Sequence, residues 1–206
     1  MKTAAAFILL FTAMTPLCQA GPIATFTTGV YGYSGNSQTL GWEFSVNSNI
    51  TVNQLFWYDR DNNLAKDIPV GMWNAANQSV VIPTTNVGSV SGTYDTTTKY
   101  WGVAVSPVTL SAGSTYVIGG YTTYYDLVEA QITDLTTSPA ITYKQNMIAG
   151  GGAIAYPSIT QSQYGVAWIG ADFGTGTGTG VPEPGTWATL AAGLVALGAM
   201  LRRRRA

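Results

Sequence analysis

Histidine is absent from all 206 residues, and cysteine occurs once, at Cys18. Without an imidazole the chain has no Ser-His-Asp or Cys-His nucleophilic site, no His-based zinc site, no haem held by histidine and no imidazole general base. Charge is scarce too, with Asp, Glu, Lys and Arg making up 9 % of residues. The basic residues are segregated: Lys2 stands at the front, Arg202, Arg203, Arg204 and Arg205 at the back, and only Arg60, Lys66, Lys99 and Lys144 between. From Gly21 to Gly180 those four cations face Glu43, Asp59, Asp61, Asp67, Asp95, Asp126, Glu129, Asp134 and Asp172, an excess of five negative charges. Such a stretch has no basic footprint for nucleic acid. An enzyme built from it would have to use carboxylates, lysine or tyrosine.

What the chain has instead is uncharged polarity, from Thr, Ser, Asn, Gln and Gly, together with 12 % aromatic residues. Enough apolar surface is available to fold rather than stay disordered, and the length suits one main domain with short appendages. The opening "MKTAAAFILLFTAMTPLCQA" runs from Lys2 through an apolar stretch to Pro16 and the small residue Ala20, the three-part pattern of a secretory signal peptide. Cleavage is expected between Ala20 and Gly21. Lipidation at Cys18 is the alternative, but Thr15 and Pro16 are poor neighbours for such a site. With plain cleavage Cys18 is discarded, so the mature protein has no disulfide and relies on core packing.

From Thr25 to Phe173 short apolar runs are broken by Gly, Asn and Pro. "LGWEFSV" sets Leu40, Trp42, Phe44 and Val46 against Gly41, Glu43 and Ser45, the period of a half-buried strand. "ITVNQLFWY" follows across "NSN", which reads as a hairpin turn. With "IPVGMWN", "SVVIPT", "YWGVAV", "STYVIGGY", "AITYK" and "YGVAWIGADF", these runs predict an all-β fold, a single antiparallel β-sandwich of immunoglobulin-like or jelly-roll-like kind, over residues 21–173. "YYDLVEAQI", from Tyr124 to Ile132, reads as a short helix or an irregular insert. In a sandwich most Trp and Tyr belong to the core, so aromatic richness alone is weak support for a sugar-stacking platform.

Two carboxylate readings remain open. Asp59 or Asp61 paired with Glu43 or Glu129 would suit glycoside chemistry. Asp59, Asp61 and Asn63 also give the D-x-D-x-N opening of a calcium loop, but Ala65, Lys66 and Val70 do not continue it. Against both stands a solvated turn in which Asp and Asn cap backbone amides. "GTGTGTG" lacks the strand-to-helix setting and the lysine of a phosphate loop and reads, over 174–180, as a flexible linker.

After that linker come Val181, Pro182, Glu183 and Pro184, an apolar run from Thr186 to Leu201, and the arginines. The prolines keep the junction extended and open to a processing enzyme. The run predicts a short transmembrane helix, below the ~20 residues of a comfortable span, which snorkelling arginines accommodate. The arginines hold their end in the cytoplasm and the middle outside. A plain anchor explains the run and the arginines but not the Pro-Glu-Pro.

This end, 181–206, resembles the PEP-CTERM sorting signal, also described as an ice-binding protein carboxyl-terminal type of tag, through Val181, Pro182, Glu183, Pro184, Gly185, the apolar run and Arg202 to Arg205. The resemblance implies a Gram-negative, often exopolysaccharide-producing bacterium, signal peptidase and an exosortase as partners, and an inner-membrane intermediate before the surface or medium. The middle resembles the DUF4082-type β-sandwich through "LGWEFSVNSNITVNQLFWYD", "VGMWNAANQSVV", "VTLSAGSTYVIGGY" and "GADF". That family usually has Gly-rich acidic sequence after "YD", which Arg60 and Lys66 interrupt here. The expectation is an exported structural, adhesive or polysaccharide-binding module without catalytic residues or a required cofactor, with a calcium ion at the Asp59 loop and a carbohydrate-active enzyme as the alternatives.

Overall fold

The computed structural model describes residues 21–27, 29–33, 37–123, 127–161 and 167–175. Gly21 is the first of them. Ala20, Val181 to Pro184, the Thr186 to Leu201 run and Arg202 to Arg205 lie outside them, as does most of the predicted linker. Among the described residues no helix is long and apolar enough to cross a membrane.

Fifteen strands follow in order: β1 (Ala24–Thr25), β2 (Val30–Tyr33), β3 (Gln38–Val46), β4 (Ile50–Tyr58), β5 (Ile68–Asn74), β6 (Val80–Val87), β7 (Thr93–Asp95), β8 (Tyr100–Leu110), β9 (Thr115–Thr122), β10 (Leu127–Ile132), β11 (Thr136–Thr137), β12 (Ile141–Gly150), β13 (Ile159–Gln161), β14 (Ala167–Ile169) and β15 (Ala171–Thr175). A six-stranded sheet has the order β13-β12-β3-β9-β5-β6, and a four-stranded sheet has the order β15-β4-β8-β7. Smaller sheets, β14-β10-β2 and β1-β11, complete the set among the described residues. The fold is all-β and its sheets are antiparallel, as the alternating runs predict.

The core forms because alternate residues of each strand point the same way. From β3, Leu40, Trp42, Phe44 and Val46 are all buried. They meet the four-stranded sheet through Phe173, whose ring centroid lies 6.0 Å from that of Trp42, nearly parallel, and 4.9 Å from that of Phe44. Trp42 also donates from Nε1 to the Ala171 carbonyl at 2.8 Å, so its one polar atom is satisfied inside the core. Trp57 of β4 crosses to the six-stranded sheet over Gly120, where a Cβ would lie 2.4 Å from its ring.

Two local expectations are corrected. "NSN" does not close a hairpin: β3 pairs with β9 and β12, whereas β4 pairs with β8 and β15. Both strands carry an apolar row, and placing them in different sheets puts both rows in one core cluster. Asn47 and Ser48 donate their amides to the Ala140 carbonyl as the chain crosses over. In "YYDLVEAQI" the described residues Leu127–Ile132 form strand β10, not a helix or an irregular insert. Pairing with β2 on one side and β14 on the other satisfies its backbone, which outweighs the weak helical spacing of a short apolar run. Tyr124 to Asp126 lie outside the described residues.

The two ends of the domain meet. Pro22 forms a bridge with Gly174, Ile23 donates its amide to Phe173 O at 2.8 Å, and β1 pairs with β11. Strand β15 extends to Thr175, two residues into the stretch read as linker.

Candidate functional site

The carboxylate of Asp59, which follows β4, turns into its own loop. Its Oδ1 accepts from the Asn63 amide at 3.3 Å, and its Oδ2 accepts from the Leu64 amide and the Trp101 indole N–H, each at 3.0 Å. Asp59 is buried, while Asp61, Asn62 and Asn63 are exposed. Asn62 takes a left-handed φ of 54°, a conformation that Asn tolerates better than most residues. Tyr94 closes the other side: its hydroxyl donates to the Asp59 carbonyl at 2.9 Å, and its ring lies 5.1 Å from that of Trp101. Burial, and then the carboxylates of Asp59, Asp61 and Asp95, push the Tyr94 hydroxyl above its ordinary pKa. This is the geometry of a capped turn. Among the described residues no three Asp, Glu, Cys or His side chains gather as a metal-binding group.

Other aspartates are used the same way. Asp67 accepts from the Val90 and Ser91 amides and the Ser91 hydroxyl. Partial desolvation raises its pKa, but those hydrogen bonds outweigh it and leave the carboxyl below its ordinary value. Asp95 is lowered chiefly by the Thr97 amide, which donates to it at 2.8 Å within a tight turn. Asp134 holds the amide and hydroxyl of Thr27. Asp172 is fully buried and accepts from the Ala24 amide at 3.2 Å and its neighbour Phe173 at 2.7 Å, which ties the first strand to the last. Burial pushes its pKa well up, against the pull of those two amides and the Tyr100 hydroxyl.

The carboxylates expected to work as pairs stand on or beside strands of different sheets. Asp59 follows β4 of the four-stranded sheet, Glu43 lies on β3 of the six-stranded sheet, and Glu129 lies on β10 of the three-stranded sheet.

Glu43 belongs to a different constellation, on the outer face of the six-stranded sheet. Register places Gln145, Glu43, Val117 and Trp73 in one row across β12, β3, β9 and β5. A bulge between Tyr143 and Gln145 sets both Lys144 and Gln145 against Glu43. Lys144 Nζ stands 3.6 Å from Glu43 Oε1, and Gln145 Nε2 donates to Oε2 at 3.3 Å. The adjacent row is Thr142, Ser45 and Thr115, all small hydroxyl side chains. On the other side lie Gly41, Gly119 and Gly71, directly opposed across β3, β9 and β5.

The segment 153–158 runs over that glycine row as a strap. A Cβ on Gly71 would sit 3.6 Å from Ile154, and one on Gly119 would sit 3.4 Å from Pro157, so the missing side chains make room for it. Ala155 donates its amide to Thr39 Oγ1 at 3.0 Å. The strap sets Tyr156 edge-on to Trp73, with ring centroids 6.2 Å apart. Burial, and then the Glu43 charge, push the Tyr156 hydroxyl above its ordinary pKa. Sequence reasoning found Glu43 and its outward direction from strand alternation. It missed Lys144, Gln145, Trp73 and Tyr156, because register, a bulge and the strap bring them to Glu43 from three other segments of the chain.

Residues 180–205 match the PEP-CTERM protein-sorting motif, so the resemblance of the carboxyl end is a finding of its own. A motif of this kind indicates an exported protein sorted at the cell surface. Among solved structures the chain is similar to a family 35 carbohydrate binding module from an environmental isolate, at 17 % identity over 62 % of this chain and 93 % of that one, with a TM-score of 0.32. No curated protein matches the chain.

Proposed function

We propose that the protein is a non-catalytic module delivered to the surface or extracellular matrix of a Gram-negative bacterium, where its sandwich serves as a structural, adhesive or polysaccharide-binding unit. The observation that carries this reading is the sorting motif at 180–205 on a chain in which Asp59, Asp67, Asp95, Asp134 and Asp172 all accept from backbone amides. Nothing about those aspartates favours bond making, since each is already a hydrogen-bond acceptor within the fold. In this reading the Asp59 loop is a turn that needs no ion, and the sandwich is of DUF4082 type. Signal peptidase cuts between Ala20 and Gly21. An exosortase then acts near Pro182, Glu183 and Pro184 while Arg202 to Arg205 hold the tag across the inner membrane. The bridge between Pro22 and Gly174 brings the first and last described strands' ends together.

Intact-mass analysis of protein recovered from the cell surface and the medium tests this. The expected species starts at Gly21 and ends near Pro184, and replacing Arg202 to Arg205 with neutral residues is expected to disturb its retention and processing. A variant processed at the normal rate and found in the same fraction would contradict the tag's role.

A further inference from the structure

We infer that the outer face of the six-stranded sheet, at Glu43, Lys144, Gln145 and Tyr156, is a binding site for an uncharged polysaccharide. This rests on the reading of the protein as a non-catalytic exported module and names the ligand of that module.

Glu43 is held but not saturated. Its two partners stand at 3.3 and 3.6 Å, longer than the ~2.8 Å typical of a charge-assisted hydrogen bond, and a carboxylate offers about four lone-pair directions. Its side chain keeps 16 % of its surface open to solvent, so hydroxyl donors can reach it. Beside it Lys144 and Gln145 present N–H donors, and Lys144 is 43 % exposed. Among the described residues the hydroxyl of Tyr156 has no hydrogen-bond partner. The row of Thr142, Ser45 and Thr115 continues this polar face along the strands, with Thr115 Oγ1 accepting from Lys144 Nζ at 3.3 Å and Thr142 Oγ1 bonded to the Asn47 side-chain amide.

These groups suit a ligand that donates and accepts many hydrogen bonds without carrying charge. Pyranose units do both, and they present C–H faces to a ring such as Tyr156. A polyanion is disfavoured, because the one cation of the site is countered by Glu43 and the chain from Gly21 to Gly180 carries an excess of negative charge. A protein partner is disfavoured by the absence of a large exposed apolar side chain among the residues of the site. The bulge at Lys144 is the device that brings two donors against one carboxylate, and bulges are over-represented where a side chain must be re-aimed next to a site.

The test is native affinity electrophoresis of the full chain in detergent, through gels containing hydroxyethylcellulose, arabinoxylan, galactomannan or dextran, with polygalacturonate as the charged comparison. Retardation is expected in at least one neutral gel and not in polygalacturonate. Tyr156→Ala and Glu43→Ala should each weaken it about tenfold, the effect of losing roughly one hydrogen bond to a charged group or one ring contact. Asp61→Asn, in the loop after β4, should leave it unchanged. Near-UV circular dichroism confirms folding, and the exposed Lys144→Met replaces Glu43→Ala if that variant does not fold. Retardation by none of the neutral polymers, by polygalacturonate alone, or lost in Asp61→Asn while kept in Tyr156→Ala overturns the inference. Surface location and processed mass are untouched by that failure and belong to the broader reading.

Discussion

The two faces of β3 do opposite work. Leu40, Trp42, Phe44 and Val46 on the inner face are 4 % exposed or less, whereas Glu43 and Ser45 on the outer face stay partly open. Alternation along one strand therefore separates what holds the sandwich closed from what remains available to a ligand. An inner substitution should alter stability, and an outer one should alter binding while stability hardly moves.

Gly41 is where that division breaks, and the largest effect is expected there. It lies on the outer face, yet a Cβ would stand 2.0 Å from the Ile118 carbonyl oxygen and 2.8 Å from the Gly119 Cα. Both obstacles are backbone, so Gly41→Ala must part β3 from β9, and little folded protein is expected by circular dichroism. On the inner face, Trp42→Ala removes a fully buried ring and its hydrogen bond to Ala171, at a cost of ~4 kcal/mol in urea unfolding. Asp59→Ala, which leaves the Trp101 indole and two loop amides without their acceptor, should cost about 2 kcal/mol by the same measurement.

Asp172 sharpens the contrast through pH. Its folded-state pKa is raised by burial, so the folded protein holds that proton more tightly than the unfolded chain. The associated stability is complete below the ordinary Asp value near 4 and is lost as pH rises through the folded-state pKa. Asp67 and Asp95 act in the opposite sense, because their lowered values give stability that is lost as pH falls below about 4. Comparing the protein with Asp172→Asn isolates the first effect: relative to the parent, the variant should gain urea stability as pH rises from about 4 toward the raised folded-state value. A parallel pair of curves would contradict the buried-carboxyl account. The smallest effect belongs to the outer face, where Glu43→Gln should change stability by less than ~1 kcal/mol, since its ion pair to Lys144 is partly solvated.

Much of this architecture was legible because it depends on neighbours in sequence. "LGWEFSV", "ITVNQLFWY" and "IPVGMWN" fall within or coincide with β3, β4 and β5, since side-chain alternation needs no knowledge of the partner strand. Partner choice was not legible. The polar turn at Asn47 to Asn49 looks the same whether it closes a hairpin or carries the chain to another sheet, and the shared core decides. At the Asp59 loop the capped turn was foreseen in kind, but its Trp101 and Tyr94 partners arrive from β8 and β7. The Glu43 constellation was hidden for a stronger reason. A residue's outward direction follows from its own strand, but whether it meets a lysine, an amide or an aromatic ring depends on register, and at Lys144 on a bulge as well.

The most direct test of the central claim, a module that binds without cutting, is the molar-mass distribution of the four neutral polysaccharides by size-exclusion chromatography after long incubation with the full chain. The account predicts unchanged distributions. Shortened chains, with the shortening abolished in Glu43→Gln, would show a carboxylate at work in catalysis and contradict it.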